Sequence, residues 1–441
     1  MQKDLIAVAQ QAGIVGAGGA GFPTHVKLKA QADTVIINGA ECEPLLRVDQ
    51  QLMTLRAADL LDALDLIVDT VNASRGVVYL KEHYHEAVKA LTRELPSHPR
   101  LSIHKAPAFY PAGDEQVAVY EVTGRVVPEG GIPINVGVVV SNVETALNLI
   151  DGLRDDKPVI DKYVTLTGAV RTPKTVKVPL GIRVSEALEL AGGPTVRAYQ
   201  VINGGPMMGR LVAPDSTITK TTKGLIVLAE GHPLLNSLNK PIKRMLKDAQ
   251  IACMQCSLCS EVCPRGLLNH RIQPHKMMRI AAYGSLCDPE YTAMNAWLCC
   301  GCRLCEYACV MGLQPWKLNT MLKGNLGAKG IRNSLHDKPE HAAQFREYKR
   351  YPVHKLINQL GISSYDVPAP MMGHSVEYKS VTLLLRQGVG APAQPVVKVG
   401  DSVERGDLVA AIPEGKLSSN LHSSITGKVT AVTDSSITIQ Q

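Results

Sequence analysis

Eight cysteines fall into two runs with the same spacing. The first run contains Cys253, Cys256, Cys259 and Cys263, and the second contains Cys299, Cys302, Cys305 and Cys309. Three cysteines separated by two residues each turn the chain tightly and direct their sulfurs towards one metal cluster. In two-cluster ferredoxins the fourth cysteine of each run ligates the other cluster. The spacing therefore predicts two [4Fe-4S] clusters with exchanged fourth ligands.

On that rule, each cluster takes three cysteines from one run and one from the other. The ligands of cluster one are Cys253, Cys256, Cys259 and Cys309, and those of cluster two are Cys299, Cys302, Cys305 and Cys263. The alternative is zinc, which favours paired cysteines and a tetrahedral set of four thiolates. Two complete four-cysteine runs favour iron–sulfur chemistry. We expect the remaining three cysteines, Cys42, Cys287 and Cys300, not to bind metal.

The composition excludes several classes of function. The chain has 441 residues and a net charge of +7, and no dense basic run indicates nucleic-acid binding. No apolar run approaches the roughly 18 residues that a helix needs to span a membrane. The first residues lack the apolar stretch of a secretory signal. We therefore expect a cytoplasmic protein, where clustered cysteines usually bind metals.

The hydrophobic pattern changes four times along the chain. Helices and strands alternate over residues 1–155, including one long helix predicted over Leu52–Val71, which favours an α/β layer. We predict a small α+β module at 156–238, a cysteine-rich helical module at 239–330, a connector at 331–365, and evenly spaced short strands of a barrel or sandwich at 366–441.

A glycine-rich segment lies near the start of the first region. Gly16, Gly18 and Gly21 match the pattern of a dinucleotide-binding loop. However, a helix precedes the loop and a strand follows it, which is the reverse of the order in that motif. The backbone N–H groups of such a loop can still approach a phosphate, and Lys27 supplies a nearby positive charge. From these residues alone, a turn that binds no ligand stays an open alternative.

Four segments, in this order, resemble the flavin motifs of the 51 kDa NADH-binding subunit of respiratory complex I, and the first of them resembles the Rnf complex C subunit more closely. They are Gly16–Lys27, Asn38–Pro44, Tyr110–Glu115 and Ser141–Thr145. The resemblance implies a role for ten residues. The phosphate of FMN would be held by Gly16, Gly18, Gly19 and Lys27, and its ribityl chain or ring would be contacted by Asn38, Glu41, Asn142 and Thr145. The face where NADH stacks would be lined by Gly113 and the candidate catalytic residue Glu115. Ala40 stands where the 51 kDa subunit of complex I has an acid, so the flavin contact of that acid is lost or replaced in this chain.

The other modules also resemble known domains. Residues 162–235 are similar to the β-grasp SLBB module, and the tail is similar to the barrel-sandwich hybrid of lipoyl carriers and Rnf C subunits. The resemblance implies a multidomain α/β and α+β protein. In order, it has a flavin-binding α/β domain, an SLBB module, a helical two-cluster ferredoxin module and a C-terminal barrel.

This domain order resembles that of the cobalamin reductases of propanediol-utilisation microcompartments. NADH releases two electrons as hydride whereas a cluster accepts one, so a flavin is expected between them. The resemblance implies electron transfer from NADH to cobalamin on a corrinoid adenosyltransferase partner. It also implies a place inside a bacterial microcompartment, among shell or lumen proteins.

Two alternatives remain open from the sequence. The first is an Rnf-like subunit that feeds a membrane redox chain. The second is an electron-conducting adapter whose flavin fold has no catalytic activity.

Overall fold

The computed structural model describes residues 4–283, 289–373 and 378–441. Cys287, predicted not to bind metal, lies outside these residues. Among the described residues, no helix is both long and apolar enough to cross a bilayer.

The first unit is built on a parallel sheet of four strands in the order β3-β2-β1-β5. Its elements are α1 (Leu5–Gln11), α2 (Thr24–Lys27), β1 (Thr34–Asn38), α3 (Val48–Leu55), α4 (Ala57–Thr70), β2 (Arg75–Lys81), α5 (His85–Glu94), β3 (Leu101–Ala106), β4 (Phe109–Tyr110), α6 (Glu115–Thr123), β5 (Val138–Asn142) and α7 (Val143–Asp155). Strand β1 is buried along most of its length, because helices cover both faces of the sheet.

The helix predicted over Leu52–Val71 is divided in two. Arg56 leaves the helical conformation with φ −129° and ψ 40°, and separates α3 from α4. Its guanidinium group is ion-paired with Asp59 at 2.8 Å and with Asp151 of α7 at 2.6 Å. The hydrophobic pattern continues across this break, so the pattern alone does not show it.

The second unit is a mixed sheet of five strands in the order β7-β6-β10-β8-β9. Its elements are β6 (Asp161–Gly168), β7 (Lys174–Pro179), α8 (Val184–Glu189), β8 (Tyr199–Asn203), β9 (Arg210–Val212) and β10 (Gly224–Ala229). Strand β10 runs parallel to β6 and antiparallel to β8. This agrees with the small α+β module predicted here.

The cysteine-rich region consists of short helices. They are α9 (Pro233–Asn239), α10 (Ile242–Ala252), α11 (Leu258–Glu261), α12 (Pro264–Leu267), α13 (Pro274–Tyr283), α14 (Pro289–Met294), α15 (Leu304–Tyr307) and α16 (Pro315–Ala328). The segment predicted as a connector also contains β11 (Tyr351–Pro352) and α17 (Val353–Leu360). Strand β11 pairs with β4 of the first unit, and the apolar side of α17 is buried, so the second half of this segment packs into the protein.

The tail forms two antiparallel sheets, in the orders β12-β18-β17-β14 and β13-β15-β16. Its strands are β12 (Ser380–Leu384), β13 (Gln394–Pro395), β14 (Ser402–Val403), β15 (Leu408–Ala411), β16 (Leu421–His422), β17 (Gly427–Val432) and β18 (Ser436–Gln440). The tail packs on the glycine-rich loop, where Val389 N–H donates to the Gly21 carbonyl at 3.2 Å. A Cβ at Gly21 would lie 2.6 Å from the Gly388 Cα, so this contact requires glycine.

Buried ion pairs join the first two units. Lys162 of β6 pairs with Glu144 of α7, and both side chains are 1% exposed. Lys223, just before β10, pairs with Asp49 of α3. Charges removed from water are costly unless they are paired, so each partner requires the other.

We predict that Glu144→Gln destabilises the protein by about 3–5 kcal/mol, because Lys162 is left buried without a counter-charge. Urea unfolding followed by circular dichroism measures this change. The matched control is Arg93→Gln, which breaks the exposed Arg93–Glu94 pair and should cost less than about 1 kcal/mol. Equal effects of the two substitutions would contradict the importance of the buried pair.

Candidate redox site

The predicted flavin residues meet at the carboxyl edge of the parallel sheet. Asn38 ends β1 and Asn142 ends β5, and the two residues are register partners in neighbouring strands. Ligands of open α/β sheets bind outside the carboxyl ends of the strands. The fold therefore brings two distant motifs together at one edge.

The glycine-rich loop closes over this edge. Two hydrogen bonds hold the loop. The Gly16 N–H donates to the Phe22 carbonyl at 2.9 Å, and the Ala17 N–H donates to Thr145 Oγ1 at 2.9 Å. A Cβ at Gly18 would meet the Asn142 side chain at 3.5 Å, whereas one at Gly19 would have no atom within 4 Å. The backbone between these anchors is open to an approaching phosphate.

Lys27 places a cation beside the loop. Its Nζ donates to the Val140 carbonyl at 2.8 Å and lies 3.5 Å from the Glu115 carboxylate. Glu115 begins α6 and its side chain is about half exposed, so it is open to a ligand. The structure thus brings Lys27 and Glu115 together at one end of the site.

Gly113, in the third motif, contacts the second motif. Its carbonyl accepts from Asn38 Nδ2 at 2.8 Å, and its N–H donates to Cys42 Sγ at 3.2 Å. Burial raises the pKa of Cys42 to about 12, so the thiol stays neutral. A Cβ at Gly113 would approach the Cys42 Cβ to 3.1 Å, which explains the small residue here.

Two other predicted flavin residues already have protein partners. The Glu41 carboxylate is buried and accepts from the backbone N–H groups of Val48 and Asp49 at 2.7 and 3.0 Å, which satisfies the first turn of α3. Asn142 caps α7 through the Glu144 N–H, and its Nδ2 donates to Asp49 at 2.9 Å. Both residues shape the edge of the sheet, and their contacts to FMN stay predictions.

The side chains present fit a phosphate-bearing flavin. Open glycine backbone, one ammonium group and the amide of Asn38 converge at the carboxyl edge. Bound FMN would place its phosphate against the loop and Lys27.

The four cysteines predicted for cluster one are neighbours in the structure, although they come from both runs. Burial and, after it, the neighbouring thiols of Cys309, Cys253 and Cys256 raise the pKa of Cys259 to about 12. Cys253 and Cys309 also pack against one apolar group of α10, α13 and α16. This is the grouping that the spacing rule predicts.

The four cysteines predicted for cluster two are also neighbours and also come from both runs. Burial raises the pKa of Cys263 to about 12, with Cys300 and Cys299 as neighbours. One cavity is lined by Cys263, Cys299, Cys300, Cys302 and Cys305, together with Trp316 and Asn319. Cys305 also packs with Cys259 and Trp316, so the two cysteine groups are adjacent.

The donor set is made of thiols, which is the donor type of [4Fe-4S] clusters, and each predicted set gathers cysteines from both runs. A tetrahedral zinc site with bonds of about 2.3 Å needs sulfurs roughly 3.8 Å apart. A four-iron cluster needs its thiolates further apart, and metal binding would deprotonate these buried thiols.

The flavin edge is in direct contact with the segments that carry the cysteines predicted for cluster two. Tyr110, fully buried, donates from its hydroxyl group to the Cys302 carbonyl at 2.9 Å. Asp114, between Gly113 and Glu115, forms a two-bond ion pair of 2.5 and 3.0 Å with Arg265, two residues after Cys263. The sequence motif that contains Tyr110 and Asp114 predicts no role for either residue, because no local pattern shows a contact across more than 150 residues.

Domain-family models match four parts of the chain in order. They are the Nuo51 FMN-binding domain at 9–151, the SLBB domain at 163–211, the 4Fe-4S dicluster domain at 252–314 and the RnfC barrel sandwich hybrid domain at 371–441. The predicted fold class and the predicted FMN and iron–sulfur cofactors are confirmed.

Curated relatives match almost the whole chain. The cobalamin reductase PduS of Citrobacter freundii is 43% identical over 97% of this chain and 94% of its own length, and PduS of Salmonella typhimurium is 43% identical with the same coverage. The chain belongs to the PduS family. The family resemblance is therefore confirmed, and this PduS-family chain is a flavo-iron–sulfur electron-transfer oxidoreductase.

A partial relative matches fewer residues. The C subunit of the Na⁺-translocating ferredoxin:NAD⁺ oxidoreductase complex of Acetobacterium woodii is 34% identical over 65% of this chain and 60% of its own length.

We predict that Lys27→Met raises the dissociation constant for FMN at least tenfold, because a hydrogen bond to a charged group contributes about 1.5–3 kcal/mol. Titration of flavin-free protein with FMN, followed by flavin fluorescence, measures this constant. Lys29→Met removes the same charge from an exposed neighbour and should leave the constant unchanged. Unchanged affinity in Lys27→Met would show that the phosphate binds elsewhere.

We also predict that Cys309→Ala loses about four of the eight iron atoms and four of the acid-labile sulfides, since it removes one proposed ligand of cluster one. Chemical analysis of anaerobically prepared protein measures both. Cys300→Ala is the matched control and should retain about eight of each. Equal losses would mean that Cys300 is itself a ligand.

Proposed function

We propose that this PduS-family protein transfers electrons from NADH, through FMN and two [4Fe-4S] clusters, to the cobalt of cobalamin. The observation that carries the proposal is the direct contact between the candidate flavin edge and cluster two, through Asp114–Arg265 and Tyr110–Cys302. Family membership supports cobalamin as the acceptor.

The residues of the sheet edge then have distinct roles. Bound FMN converts a two-electron hydride transfer into single-electron steps. Gly16, Gly18, Gly19 and Lys27 would hold its phosphate. Asn38, Glu41, Asn142 and Thr145 would orient its ribityl chain and ring, and Gly113 and Glu115 would line the nicotinamide face. Glu115 is the proposed catalytic residue, since its half-exposed carboxylate is open to the ligand.

The contacts support an order for the two clusters. Cluster two, held by Cys299, Cys302, Cys305 and Cys263, adjoins the flavin edge, and cluster one, held by Cys253, Cys256, Cys259 and Cys309, lies beyond it. Cluster one would then be the exit for electrons. We propose domain limits at 1–155, 156–238, 239–330 and 366–441, with the connector at 331–365.

The proposal extends to partners and location. Cobalamin would be presented by a corrinoid adenosyltransferase, and the protein would act in the cytoplasm inside a propanediol-utilisation microcompartment, among its shell or lumen proteins. The names of the full-length relatives support this setting over that of a membrane-complex subunit.

We predict cobalamin reduction by the purified, anaerobically reconstituted protein supplied with NADH and cob(III)alamin. The change in the visible spectrum of the corrinoid measures the rate, and Lys27→Met should lower it at FMN concentrations that saturate only the wild type. If FMN and clusters are intact and NADH reduces them but cobalamin stays oxidised, the cobalamin assignment is wrong. If NADH reduces nothing, the adapter alternative is favoured.

A further inference from the structure

Cluster one lies under an exposed apolar surface. Five large apolar side chains beside its cysteines are exposed: Ile251 by 75%, Met254 by 62%, Leu258 by 41%, Val310 by 66% and Met311 by 46%. Cys256 itself is exposed, whereas Cys302, Cys305 and Cys263 of cluster two are buried. We call these five side chains the cluster-one surface.

The five side chains belong to one surface because the cysteines between them are gathered. Cys253, Cys256 and Cys309 all lie near Cys259, and Val310 and Met311 directly follow Cys309. Scattered apolar side chains are ordinary on a protein surface. Exposed apolar side chains grouped around one set of cysteines indicate a binding surface.

Positive charge lies next to the cluster-one surface. Lys243, Lys247 and Ile251 follow one another at four-residue spacing on α10, so both exposed lysines share the stripe that leads to Ile251. On another side, Arg279 of α13 donates to Gln255 at 3.2 Å. Residues 240–330 contain twelve Lys and Arg but only five Asp and Glu, a net charge of +7 that equals the net charge of the whole chain.

The nearby acids do not cancel this charge locally. Asp248 already pairs with Arg244 at 2.9 Å and with Lys240 at 3.4 Å. Glu261 pairs with Lys349, and Glu306 is buried against Trp316. Among the described residues around cluster one, the rim of the apolar surface is therefore basic.

We propose that the cluster-one surface is the docking site for the acidic face of the protein that holds the electron acceptor. This inference rests on the proposed function, in which cluster one is the exit. A partner with an apolar centre and a carboxylate rim matches both the side chains and the charge of the surface. In each transfer one electron leaves reduced cluster one and lowers the acceptor cobalt by one oxidation state, with NADH as the electron source.

The test uses Lys243→Glu/Lys247→Glu in the full-length, reconstituted protein. The probe is corrinoid adenosyltransferase from the same organism, loaded with cob(II)alamin. We expect the association rate and the rate of electron transfer to this probe to fall at least tenfold at low ionic strength, and the wild-type rate to fall as salt is added. Met254→Gln leaves the charge of the surface unchanged. It should therefore slow association less than the charge reversal does, and mainly weaken the affinity for the probe.

Lys379→Glu/Lys428→Glu is the matched control, because it makes the same charge change at two exposed lysines of the barrel. It should behave as the wild type. Equal transfer to the probe by both charge-reversal variants would overturn the docking site. A second result would also overturn the proposal. If the wild type binds phosphatidylglycerol vesicles but not the probe, and the α10 variant Lys243→Glu/Lys247→Glu does not bind the vesicles, the surface binds a membrane.

Free cob(III)alamin separates this inference from the proposed function. If the wild type reduces free cobalamin and the α10 variant is slowed only with the protein probe, both hold. If the wild type reduces no corrinoid, the proposed function fails, and calorimetric binding of the probe alone then decides the docking site.

Discussion

The ion pair between Asp114 and Arg265 connects the two chemical halves of the molecule. Asp114 lies in the loop that carries Gly113 and Glu115, and Arg265 follows Cys263 by two residues. Both side chains are largely buried, so removal of either partner would leave an unpaired charge away from water. The hydrogen bond from Tyr110 to the Cys302 carbonyl lies beside this pair. Together they hold the cysteine groups against the carboxyl edge of the parallel sheet.

The five-stranded second unit and the C-terminal barrel pack against the residues that form this edge. Lys223 neutralises Asp49, which in turn holds the Asn142 amide, and Lys162 pairs with Glu144 in the first turn of α7. The barrel contributes Gly388, which packs against Gly21 of the glycine-rich loop so closely that neither position has room for a Cβ atom. A buried lysine, Lys220, donates to the carbonyl groups of Gly13 and Asn420 at 2.6 Å and links the same three units. The geometry of the flavin edge therefore depends on residues from several domains.

The local patterns in the sequence were sufficient for much of the fold. The duplicated cysteine spacing predicts the crossed grouping, because the fourth cysteine of each run ligates the other cluster in two-cluster ferredoxins. The alternation of helices and strands predicts the α/β layer. The patterns did not show the break at Arg56, since the apolar positions continue through it. They also did not show that α17 packs into the protein, nor the Asp114–Arg265 and Lys223–Asp49 pairs. Such contacts join residues that are distant in sequence, and only the folded chain defines them. The roles of Glu41 and Asn142 also needed the structure, which shows that their side chains already have partners.

The most direct test of this arrangement is electron paramagnetic resonance of the wild-type protein, frozen at short times after anaerobic mixing with NADH. The account predicts that cluster two is reduced first and cluster one second, and that the two reduced [4Fe-4S] clusters show magnetic interaction because the cysteine groups are adjacent. Reduction of the flavin while both clusters remain oxidised, or protein that contains zinc in place of iron and sulfide, would contradict it.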